Sequence, residues 1–110
     1  MLRQAQHERT ANPERGEAAI EVGGRQVVLR PSFTALVAAE DELGPLFALV
    51  ERASAGQLRL AEIAALFWHC AADRQGLTRE QLGEALAEQG LARASKPLRA
   101  ILVQILQGGT

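Results

Sequence analysis

His69, Cys70 and Asp73 are the residues whose types and spacing most nearly describe a reactive site in this chain. A thiol nucleophile needs a neighbouring base and a third group that orients the base. His69 and Cys70 are adjacent, so on a helix their side chains diverge by about 100° and cannot chelate one ion in the usual i, i+4 manner. The apolar surroundings of Cys70 fit a buried structural thiol. His69 and Asp73 do have i, i+4 spacing, for which a modest surface pair is the ordinary outcome. His7, the other histidine, lies close to the N-terminus. No catalytic, metal-binding or cofactor-binding residue is assigned.

Other polar groupings end in the same place. Gly23-Gly24-Arg25 is glycine-rich, yet it joins two strands and lacks the spacing of a phosphate-binding loop, so it reads as a turn. Asp73–Glu84 is placed like an inter-helix calcium loop but lacks the alternating oxygen ligands that calcium needs. Leu77–Leu106 has the outline of a helix-turn-helix, making a small DNA-binding regulator the alternative function. Against it, Arg93, Lys96 and Arg99 could meet phosphates while Glu80, Glu84 and Glu88 lie alongside, and no nucleic acid is expected. Glu40-Asp41-Glu42 puts three acids at a helix C-terminus, where the macrodipole favours cations. Glu42 is therefore expected to face the N-terminal end of the following helix; the other reading is an acidic contact for a basic partner.

The elements that would position these groups are well signalled. Ala18, Ile20 and Val22 alternate with Glu17, Ala19 and Glu21, and Val27-Val28-Leu29 returns from Gly23-Gly24, which predicts a hairpin with one face apolar and the other charged. Two strands alone are not stable and must be covered. Ser32 caps a helix with Phe33, Leu36, Ala39 and Leu43 on one stripe, stopped by Gly44; Pro45 opens the next, with Leu46, Leu49, Val50 and Ala53 on a face, ending at Ala55-Gly56. From Leu60 to Arg74 a third helix is apolar over most of its circumference, through Leu60, Ile63, Ala64, Phe67, Cys70 and Ala71, with Trp68 at the edge of that arc. Glu62, His69 and Asp73 form its polar strip, so the helix belongs at the centre of the domain. Thr78 and Gln81 form a capping box for a fourth, with Leu82, Ala85, Leu86 and Gln89 inward before Gly90. Ser95 or Lys96 starts the last helix, with Pro97 in its first turn and Leu98, Ile101, Leu102, Ile105 and Leu106 inward; Val103 falls outside that stripe.

At 110 residues and 47% hydrophobic content the chain suits one domain with one core. A formal charge of -1 gives no broad attraction for nucleic acid or anionic lipid, so a partner must be recognised locally. One cysteine excludes an intrachain disulfide and suits a reducing interior. Met1–Arg15 lacks the apolar block of a secretory signal, and Ile63–Cys70 is far below the ~20 residues that span a bilayer. The expectation is a soluble cytoplasmic protein without membrane contact. Residues 1–14 read as a flexible arm and 15–108 as a single α+β domain, an N-terminal β-hairpin packed on a bundle of about five short helices.

From Ala11 to Gly109 the chain resembles the small tail proteins of gene transfer agents and related prophages, a family of tail assembly chaperones or tail tube proteins. Asn12-Pro13-Glu14-Arg15-Gly16-Glu17 is similar to the family's start and Val22-Gly23-Gly24-Arg25 to its hairpin. Leu29-Arg30-Pro31-Ser32-Phe33, with Ala35-Leu36, Glu40 and Leu43-Gly44, is similar to its passage from strand to helix, and Leu77-Thr78 with Glu80-Gln81-Leu82-Gly83 to its second half. Met1–Thr10 is an upstream extension. The resemblance implies a bacterial, cytoplasmic, non-enzymatic tail-assembly protein whose partner is the tape-measure protein or the tail tube subunit, with no cofactor and with incorporation into a phage-like particle as one outcome. Nothing catalytic is carried over. Two strands are too little sheet for a β-lined tube wall, which favours the chaperone, and helical bulk suits recognition of a partner helix. Phe47, Trp68 and Val103, each at the edge of or outside the inward stripe of its helix, are the expected partner contacts.

Overall fold

Gly23 and Gly24 take φ of 57° and 78°. Both central residues of a tight I′-type hairpin turn need that left-handed region, which glycine enters without a Cβ clash. They join β1 (Ala18–Val22) to β2 (Arg25–Leu29) in antiparallel register, Val22 opposite Arg25 and Ile20 opposite Val27. Ile20, Val22, Val27 and Leu29 are buried, so the expected apolar face is formed. The computed structural model describes residues 11–12 and 17–108; of the arm expected over 1–14, all but Ala11 and Asn12 lies outside the described residues.

Five helices follow: α1 (Phe33–Leu43), α2 (Leu46–Ser54), α3 (Leu60–Cys70), α4 (Arg79–Gln89) and α5 (Leu91–Gln107). The fold is α+β, a hairpin on five helices, as the pattern predicts. The Ser32 hydroxyl accepts from the Ala35 N–H at 3.2 Å, and the Thr78 hydroxyl accepts from the Gln81 N–H while the Gln81 side chain accepts from the Thr78 N–H. Ile63 through Phe67 and Cys70 are all buried in α3, which packs on α1, α4 and β2 and forms the axis of the core.

Several local expectations are corrected. The third helix stops at Cys70, not Arg74, because the chain turns there to cover the open edge of β2: the Arg30 N–H donates to the Cys70 carbonyl and the Ala72 N–H to the Val28 carbonyl. An uncovered edge is a template for unwanted pairing. The last helix begins at Leu91, several residues before Ser95, because Gly90, at φ 86°, both closes α4 and opens α5. Pro97 therefore sits inside α5, where it lacks the N–H that would bond back to the Arg93 carbonyl. Phe33, assigned to the inward stripe, is 84% exposed, because Ala35 and Ala39 turn toward the core and Phe33 stands about 200° around α1 from Ala35. Leu106 is likewise 53% exposed.

Glu17 departs most from its pattern. Expected on the charged outer face, it is 3% exposed and precedes β1. Its carboxylate accepts from Arg30 Nε at 2.5 Å and from the Asn12 N–H at 2.9 Å, and its own N–H donates to the Asn12 carbonyl. A buried carboxylate persists only with such partners, and among the described residues no buried side-chain polar atom is left without a hydrogen bond.

Candidate docking surface

The reactive-looking residues of the sequence are consumed by structure. Cys70 is 1% exposed, and burial pushes its thiol up to about 12, so it stays protonated and non-nucleophilic at neutral pH. His69 does not pair with Asp73, which lies beyond the end of α3. Its Nε2 meets Glu42 Oε1 at 2.7 Å, and Arg79 donates to both oxygens of the same carboxylate at 2.7 and 3.0 Å. Hydrogen bonds from Arg79 first and His69 second hold Glu42 down at about 2, well below the usual carboxylate range.

The acidic end of α1 is thereby compensated, with the roles redistributed. Glu42 ties α1 to α3 and α4, and it is Glu40 that faces the start of α2, accepting from the Leu46 N–H at 3.1 Å. Both bonds use a carboxylate that would otherwise oppose the helix dipole. Asp73 lies near Arg25, whose guanidinium donates to the carbonyls of Asp73 and Gln75 and so pins the hairpin turn to the loop between α3 and α4. Beside that pin an open groove of about 320 Å³ runs between the turn and α4, lined by Val22, Leu77, Ala85, Arg25, Glu84 and Glu88 among others. Among the described residues no group of three or more His, Cys, Asp or Glu side chains converges as a metal site would.

What remains available is apolar surface. Phe47, the second residue of α2, is 77% exposed, and Val103 on α5 is 44% exposed. Trp68 differs: it is half-buried against the core, with the guanidinium groups of Arg74 and Arg79 over its ring at 5.0 and 5.9 Å. The three do not form one patch by element. Phe47 belongs to α2, which packs on α1; Trp68 to the central α3; Val103 to α5, which packs on α4 and β1.

Sequence reasoning missed Phe33, the most exposed large apolar side chain among the described residues, and Val37, one turn on and 40% exposed. A signal was present, because Phe33 directly follows the Ser32 cap, where a helix is only beginning to meet its neighbours.

A family model described as phage tail tube protein, GTA-gp10, matches residues 15–108. Neither a curated protein nor a solved structure matches the chain.

Proposed function

Because the chain belongs to the phage tail tube protein (GTA-gp10) family, it is a structural protein of phage-like tails, and we propose that it acts without catalysis, as an assembly chaperone. Its clients are the tape-measure protein or the tail tube subunit, docked transiently during assembly in the bacterial cytoplasm. The observation that carries this reading is the size of the sheet: among the described residues it has two strands of five residues each, and one edge of it is already used by the loop at Ala71. A continuous β-wall requires many strands with edges free to pair from subunit to subunit.

Docking is assigned to the exposed apolar side chains, Phe47 on α2 and Val103 on α5, with Trp68 presenting an aromatic ring under two guanidinium groups. Isolated apolar side chains are ordinary on a surface, so the assignment rests on the exposure of Phe47 and Val103 among the described residues, off the inward stripes of their helices. The working unit is taken as residues 15–108, the stretch the family model covers. No helix among the described residues is long and apolar enough to cross a membrane.

Finished particles test the reading. Purified particles probed for this chain should contain it far below the level of the tube subunit, while extracts stalled before tail completion should yield it bound to a tail protein. Recovery from finished particles at the level of the tube subunit would make it a wall component instead.

A further inference from the structure

Two helix faces carry charge that no ion pair among the described residues answers. On α5, Ala92, Lys96, Arg99, Val103 and Leu106 follow one another at steps of four and three residues and are all exposed, a single stripe that is basic in its first half and apolar in its second. Arg93 flanks it, and α5 contains no acidic residue. On α4, Glu80, Glu84 and Glu88 stand one turn apart and are all exposed. Among the described residues none of these six charged side chains has an ion-pair partner, whereas Arg25, Arg30, Arg52, Arg79 and His69 all do.

Two of the six also sit at the wrong helix ends. Glu88 lies in the last turn of α4, where the dipole is negative, and Arg93 in the first turn of α5, where it is positive. Opposite charge from outside relieves both.

We propose that the basic-apolar face of α5 is a docking surface for a second copy of this chain, which presents the acidic face of its own α4. Lys96 and Arg99 then meet Glu84 and Glu88 of the second copy, while Val103 and Leu106 lose water. Charge complementarity names this occupant, because the chain carries both halves of the match. The α5 helix is about 25 Å long, and one helix face falls short of the roughly 800 Å² per partner of a standard interface. The contact is therefore weak, concentration-dependent and salt-sensitive. It rests on the docking reading above and refines it: Val103, on α5, is given to the second copy, while Phe47 on α2 and Trp68 on α3 are left for the client.

The test uses the full chain alone, so that its outcome is separate from client capture. Sedimentation equilibrium from low micromolar to near-millimolar concentration should show reversible self-association that weakens as salt is raised. The double variant K96E/R99E and the double variant E84K/E88K should each stay folded by circular dichroism and each self-associate at least tenfold more weakly. Mixed in equal amounts, the two should restore association, because acidic α5 then faces basic α4. A wild-type chain that stays monomeric throughout, or variants that associate as well as wild type, would overturn the proposal. So would a mixture that fails to recover. Salt-dependent binding of duplex DNA lost in K96E/R99E, with no self-association in the wild type, would reassign the basic face to nucleic acid. Failure here with Phe47-dependent client capture intact would leave the chaperone reading standing; loss of client capture as well would remove both.

Discussion

The α3 helix and the second half of α5 are both strongly apolar, yet they meet opposite fates. In α3 every residue from Ile63 to Phe67 is buried, and Leu66 and Phe67 are 0% exposed. In α5 the run Ile101-Leu102-Val103 with Ile105-Leu106 buries Ile101 completely and leaves Val103 and Leu106 near half-exposed. Composition does not separate them; neighbours do. Among the described residues α3 packs chiefly on α1, α4 and β2, whereas α5 packs chiefly on α4 and β1. Apolar character in excess of what the fold covers is what a docking protein needs, and in this chain it collects at the periphery.

The largest expected effect lies on the α3 side of that contrast. Phe67→Ala empties a fully buried site and should lower stability by about 3–5 kcal/mol, read from the urea midpoint. A loss no larger than that of a peripheral substitution would mean that α3 is not the axis of the core.

Next comes the entrance to the hairpin. Arg30→Ala leaves the Glu17 carboxylate buried with its amide contacts but without its cation, and should destabilise by about 2 kcal/mol. Thermal melts of Arg30→Ala and Arg30→Lys compare the two contributions: lysine restores charge without the guanidinium geometry and should recover part of the loss. No loss in either would show that Asn12 and its surroundings suffice to hold Glu17.

Glu17 also marks where the sequence stopped being informative. Hairpin, caps and the central position of α3 were legible because each depends on neighbours in the chain: two glycines at a turn, a hydroxyl before a helix, an apolar arc at helical spacing. The burial of Glu17 depends on Arg30, thirteen residues away in sequence and opposite in space. The end of α3 at Cys70 depends on the edge of β2, and the role of Glu42 depends on Arg79 from α4. Of the expected contact residues, the exposure of Phe47 and Val103 follows from their position off the inward stripe. The capping of Trp68 by Arg74 and Arg79 needs a loop conformation that no periodicity encodes.

A smaller effect should appear at the junction of core and periphery, where Glu42 joins α1 to α3 and α4. Its folded value is depressed to about 2 from 4.5. Its contribution is therefore complete above about 4.5 and is lost as pH falls toward 2. The side chain is 38% exposed, so solvent screening keeps that contribution below about 1 kcal/mol. In Arg79→Ala, which removes the largest cause of the shift, carboxyl titration followed by NMR should move Glu42 back toward the ordinary range. An unmoved titration would transfer the cause to His69.

The smallest stability effect and the sharpest discrimination belong to Val103. At 44% exposure its truncation removes little buried area, and Val103→Ala should shift stability by less than about 0.5 kcal/mol. The same change removes the first apolar side chain after Arg99 on the outward stripe of α5, so it should weaken docking while the melt is unchanged. A core position cannot do this, because there stability and binding fall together as the fold is lost. If Val103→Ala instead lowers stability as much as a buried substitution does, α5 is simply a wider part of the core, and the contrast between the two apolar helices disappears.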